Sequence, residues 1–143
     1  MTGDRLLFFK MIFLIKLILY FVNLTERIMV MEGELRQIQR YVTAEGKIPF
    51  SDWFNNLKDI QAKLKITKRI ARVELGNLGD CKSVGDGIFE LRINYGPGYR
   101  IYFGQIDLVI ILLLCGGDKQ TQAQDIQKAK GYWQDYKRSN NHV

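Results

Sequence analysis

Read for its alternation of apolar and polar positions, the chain separates into a greasy leader and a patterned remainder. Residues 6–22 (LLFFKMIFLIKLILYFV) are apolar except for Lys10 and Lys16. From residue 34 the pattern becomes that of a folded domain. Glu34–Val42 reads as a strand of mixed period, and Gly46 and Pro49 mark a turn that opens a helix. The first helix places Phe50, Trp53, Phe54 and Leu57 on one side. Asp59 is positioned to cap a second helix, closed by Gly76, with Ile60, Leu64, Ile70 and Val73 as its expected core side. Gly76–Gly87 reads as a glycine-rich connector. Strict alternation follows in Gly87–Asn94, with Phe89, Leu91 and Ile93 facing away from Ile88, Glu90 and Arg92. Tyr99–Gln105 alternates again, and Leu108–Cys115 is apolar on both faces, as a central strand is. Thr121 is placed to cap a final helix carrying Gln122, Ile126, Ala129 and Trp133. The expected fold is α+β, in the order β-α-α-β-β-β-α, with the helices packed on one face of an antiparallel sheet. No repeat or low-complexity segment interrupts it.

The leader permits three readings. Residues 1–30 are an upstream extension of the reading frame, with Met29 and Met31 as alternative starts, or a membrane-associated helix, or a cleaved signal. Each lysine near the centre of a span costs about 2.5–3.5 kcal/mol on insertion scales. The two are six residues apart and so share no clean helical face. No Ala-x-Ala site follows the run. The extension is the favoured reading, which leaves residues 31–143 as the domain.

Composition narrows the chemistry. The chain has 143 residues, 47% of them hydrophobic and 25% charged, with 21 basic against 15 acidic side chains and a net charge of +6. That is enough for one domain and is too apolar for a disordered chain. From Met31 onward the count is 17 basic to 13 acidic, which suits an anionic partner. Cys81 and Cys115 share no metal-ligand spacing, make no disulfide framework and point to a reducing compartment. Cys115 is expected to pack as a small hydrophobe, and Trp53 and Trp133 are expected in the core. The single histidine, His142, reads as a frayed terminal residue. Its isolation excludes a Ser-His-Asp triad and a histidine-rich metal site, and no metal or cofactor is expected.

The candidate site lies on the polar face of the two alternating strands. Glu90, Arg92, Arg100 and Tyr102 are expected to converge on an open sheet face, with Asp118 and Lys119 delivered beside them. Gly116 and Gly117 would let a ligand approach the backbone there. Guanidiniums bind phosphate bidentately, a phenol stacks or donates, and a carboxylate or lysine accepts a proton. Lys82 precedes these strands. The stripe from Lys63 to Arg72, with Lys68, Arg69 and Arg72 as candidate RNA contacts, could follow a nucleic-acid backbone. A solvated face with weak surface ion pairs accounts for the same residues equally well.

Three stretches, GKIPFSDWFNNLKD, ARVELGNLGDCKSVGDGIFELRINYGPGYRIYFGQ and LLLCGGDKQTQAQDIQKAKGYWQDYK, resemble the phage-derived Gp49-like, HigB-type addiction-module killer proteins of the RelE/ParE toxin superfamily. The likeness covers about residues 35–137. It implies a cytoplasmic toxin held inactive by a neighbouring antitoxin, of helix-turn-helix or similar DNA-binding type, and acting as a ribosome-dependent mRNA endonuclease. By the same likeness Arg100 corresponds to a phosphate-binding arginine, while Arg92 and Lys119 hold basic positions. Glu90 stands where some relatives have lysine, and Asp125 lies near where they carry a catalytic tyrosine, for which Tyr102 is a spatial candidate. The implied reaction is attack of a ribose 2′-hydroxyl on the adjacent phosphorus, with Glu90, Lys119 or Lys82 as proton acceptor. Two alternatives remain: a ParE-like protein that inhibits DNA gyrase without catalysis, and an inactive prophage remnant.

Overall fold

The computed structural model describes residues 2–31 and 35–141. His142 and the start of the first expected strand lie outside them. The chain divides into two units, Met1–Gly33 and Glu34–Val143. The first is one helix, α1 (Thr2–Met31).

The second unit runs β1 (Gln37–Arg40), α2 (Pro49–Asn56), α3 (Ile60–Glu74), β2 (Cys81–Gly85), β3 (Ile88–Ile93), β4 (Tyr99–Ile106), β5 (Ile110–Asp118) and α4 (Gln122–Asn140). It is α+β, and its single sheet has the order β1-β5-β4-β3-β2. Pro49 opens α2, where its missing N–H costs nothing. Asp59 caps α3 as expected, accepting from the N–H groups of Gln61 and Ala62 at 2.9 and 3.1 Å.

The expected antiparallel sheet is corrected to a mixed one. β1 runs parallel to β5, pairing Gln37 with Ile110 through Arg40 with Leu113. An apolar central strand needs a neighbour on each side, and β1 fills the edge that β4 leaves open. A fourth strand also follows the helical hairpin, because β2 occupies part of the expected connector. Its turn into β3 is Asp86-Gly87, with φ of 56° and 81°, the Asp-Gly pairing that a tight hairpin of primed type requires. A bulge between Ser83 and Gly85 precedes it.

The helices pack on both faces of the sheet, not on one. On the first face Phe50 of α2 and Ala62, Ile66 and Val73 of α3 meet Leu91, Ile101, Phe103 and Leu113. On the second, Ala129 and Trp133 of α4 meet Ile88, Tyr102, Leu112, Leu114 and Cys115. The second face had to be covered, since β5 is apolar on both sides and Ile88 stands among the polar positions of β3.

Two glycines let the tryptophans dock. A side chain at Gly104 would begin 2.5 Å from the Trp133 ring, and one at Gly116 would overlap Trp53. One at Gly117 would overlap the Asp125 carboxylate. The space directly above these glycines is taken by the protein's own side chains, while Gly116 and Gly117 still line a cleft at the end of β5.

The core side of α3 is also corrected. Ile60 and Leu64 are exposed, and the buried stripe is Ala62, Ile66, Arg69 and Val73, at spacings of 4, 3 and 4. Arg69, expected as an RNA contact, is mostly buried and engaged with the protein's own backbone. Its guanidinium donates to the backbone carbonyls of Leu78, of Asp80 at 3.0 Å and of Arg92 at 3.4 Å, which ties α3 to the approach and exit of β2–β3. Arg69→Ala is expected to lower unfolding stability by about 1–3 kcal/mol, because carbonyls lose their donor. The neighbouring Lys68→Ala should stay within about 0.5 kcal/mol. Urea unfolding of the two variants checks this; equal effects would make Arg69 an ordinary surface residue.

Candidate functional site

Register brings the polar residues together. On β3 and β4, Glu90 stands opposite Tyr102 and Arg92 opposite Arg100. On β2, Lys82 stands opposite Glu90. Residues directly opposite in an antiparallel pair share a face, so all five side chains leave the sheet on the α4 side. Gly117 of β5 pairs with Arg100 and leads to Lys119.

Glu90 is the centre of this group and has no exposed surface. Its Oε1 accepts from Arg92 Nε at 2.9 Å and lies 3.6 Å from Arg100 Nε. Its Oε2 accepts from Gln122 Nε2 at 2.8 Å and from the Tyr102 hydroxyl at 3.2 Å. Burial pushes the Glu90 pKa up. The hydrogen bonds from Arg92, Gln122 and Tyr102, with the Arg100 charge, more than offset that, and the carboxyl is held below the usual range. Gln122 was not among the expected site residues; its sequence signal was only its place at the helix start.

These contacts correct two expected placements. Glu90, expected on an open face, has both oxygens engaged within the protein and is shut off from solvent. Tyr102 is equally buried, and burial followed by the Glu90 charge drives its pKa far up. Its hydroxyl donates to Glu90, and its ring lies inside the core instead of on an open face.

The cations are graded by access. The Arg92 side chain is 32% exposed, and its hydrogen bond to Glu90 raises its pKa. The Arg100 side chain is 10% exposed; its Nη1 donates to the Tyr99 carbonyl at 3.2 Å, and its Nε is buried without a hydrogen bond. Among the described residues, the bond to Tyr99 is its one hydrogen bond, beside the ion pair of its Nε with Glu90. Lys119 is exposed, as is Lys82. Gly98, with φ of 80°, lies between the two basic strand ends: the point where its side chain would start is 3.6 Å from Lys119 Cβ and 3.7 Å from Arg100 Nη1. One carboxylate thus faces two guanidiniums, with Lys82 and Lys119 exposed at the edges of the group, an arrangement suited to anionic oxygens.

Lys68 and Arg72 are exposed on α3 and line a concavity of about 500 Å³ with Lys65, Asp80 and Arg92. A second cleft, about 550 Å³, lies at the end of β5, with Trp53, Tyr99, Asp125 and Tyr132 in its walls. Trp53 is thus half-buried against the core instead of fully inside it, whereas Trp133 and Cys115 are buried. Asp125 does not join Glu90: its carboxylate accepts from the Thr121 hydroxyl and lies 3.9 Å from Lys128 Nζ. Among the described residues, no three of His, Cys, Asp and Glu are grouped to hold a metal ion.

Fold and site together define an α+β domain that presents paired arginines on one ionised carboxylate. The chain is 54% identical over 83 residues to a Haemophilus influenzae Rd protein described only as uncharacterized, a match that covers 58% of this chain and 84% of that one. The chain belongs to the same family as that protein. No family model matches it.

The lowered Glu90 pKa has a stability consequence of definite sign. In acid the unfolded state binds this proton more readily than the folded state, so stability rises with pH across that window. The Glu90 contribution is full above the ordinary carboxyl value of about 4.3 and is lost as pH falls through the lower folded value. Urea midpoints measured down this range should fall less steeply for Glu90→Gln than for the natural protein. Parallel curves would show that Glu90 carries no such coupling.

Proposed function

We propose that residues 31–143 form a toxin of the RelE/ParE superfamily, of the HigB or Gp49-like kind, that cuts mRNA on the ribosome. The reading is supported most by Arg92 and Arg100, set opposite each other on one buried carboxylate with Lys119 at their edge. Fixed guanidiniums suit a phosphodiester whose oxygens gather charge as the reaction proceeds. The β3–β4–β5 order and the basic concavity beside Arg92 agree with it.

In this mechanism the 2′-oxygen attacks the adjacent phosphorus and the bond to the 5′-oxygen breaks, leaving a 2′,3′-cyclic phosphate and a 5′-hydroxyl. Arg92 and Lys119 hold the non-bridging oxygens from the open side, and Arg100 donates from beneath. Glu90 keeps both arginines aimed. A guanidinium is a poor base, since its pKa exceeds about 12. A ribosomal group takes the 2′ proton, the departing 5′-oxygen is protonated from the ribosome or water, and alignment by the ribosome supplies the rest. The protein is then cytoplasm-facing in action and is stored with an antitoxin of helix-turn-helix or similar DNA-binding type.

Induced expression with mapping of RNA 5′ ends tests the reading. The natural chain should arrest growth and give cuts phased to codons in translated messages. Arg100→Ala should reduce cutting by about 10²-fold, as loss of one transition-state donor does, while antitoxin co-purification stays intact. Full cutting by that variant would remove the site assignment. Uncut messages accompanied by gyrase-linked DNA breaks would transfer the chain to the ParE-like class.

A further inference from the structure

We propose that α1 is a membrane anchor, inserted in a phospholipid bilayer with the following domain on the cytoplasmic side. The inference stands on α1 alone and does not depend on the reading of the Glu90 site. A stretch of 22 residues, Gly3–Leu24, is continuously helical and apolar, with a mean hydropathy of 2.1 and none of it buried. At 1.5 Å per residue it is about 33 Å long, the thickness of a hydrocarbon core.

The distribution of apolar side chains selects lipid over a protein groove. A helix that docks in a groove needs one apolar stripe and keeps its other side polar. Here, at about 100° per residue, Phe9, Leu17, Leu7 and Phe8 fall near four successive quarters of the helix, and they are 67%, 42%, 72% and 57% exposed. Only a solvent that surrounds the helix covers all of them. The backbone is compatible as well, since every interior N–H and C=O is satisfied within the helix.

The charges fit the same placement. Lys10 and Lys16 lie about 120° apart, on opposite sides of the midpoint of the stretch, so each ammonium can reach toward the nearer headgroup layer along its own stem. Arg5 is the one Lys or Arg ahead of them, whereas Arg27, Arg36 and Arg40 follow within twenty residues of Leu24. The basic excess after the span keeps the C-terminal unit in the cytoplasm.

The test uses the full chain, floated with vesicles of phosphatidylethanolamine and phosphatidylglycerol and then washed in carbonate at high pH. The natural chain is expected to float and to resist the wash. Leu14→Asp combined with Ile18→Asp should leave at least ten times more protein in the aqueous fraction. Unchanged fluorescence of Trp53 and Trp133, both outside α1, shows that the domain of that variant is folded. A natural chain that stays with the aqueous fraction overturns the proposal. So does one stripped by carbonate, or one that self-associates without binding vesicles. A cellular product whose mass places its start at Met29 or Met31 overturns it too.

Discussion

Glu90 is a charge with no solvent, and the second face of the sheet is organised around keeping it so. A carboxylate taken from water costs several kcal/mol unless its oxygens are occupied. Here two arginines, a phenol and an amide occupy them, and they come from three elements: β3, β4 and α4. The same contacts hold the sheet pair in register and fix where α4 starts. Replacing Glu90 alone would leave two guanidiniums facing each other across adjacent strands. Stability and the aiming of the cations therefore rest on one side chain.

Around that centre the packing relies on flat rings laid on bare backbone. Trp133 lies on Gly104 from the α4 side and Trp53 on Gly116 from the α2 side. The two contacts hold the sheet between its helices where β4 and β5 pair. Asp125 and Thr121 cover Gly117 and form part of the wall of the cleft at the end of β5. The rim of the cation group that reaches solvent is formed by Arg92, Gly98 and Lys119.

Much of this was legible in the sequence. The alternation in Gly87–Asn94 and Tyr99–Gln105 correctly assigned Glu90, Arg92, Arg100 and Tyr102 to one face, and Asp59 marked the start of α3. What periodicity cannot report is what covers a face. Ile88 and the two-sided β5 were the available hints that α4 would cover this one, and that burial placed Glu90 and Tyr102 inside the domain instead of on an open face. Arg69 was hidden for another reason. Its neighbours Lys65, Lys68 and Arg72 have the same charge, and only the phase of the helix separates a buried guanidinium from an exposed one. The hairpin at Asp86-Gly87 carried its own signal, which was lost among the surrounding glycines.

The parallel pairing of β1 with β5 joins residues more than seventy positions apart, Gln37 with Ile110. Non-local pairing of this kind is slow to form, because the intervening chain must be ordered first. Gln122, which completes the coordination of Glu90, comes later still. During synthesis Glu90 and both arginines are therefore made well before Gln122, which completes the set around the carboxylate. The cluster acquires its geometry only when the last quarter of the chain has been added, so a chain cut short or stalled before α4 carries the cations without the arrangement.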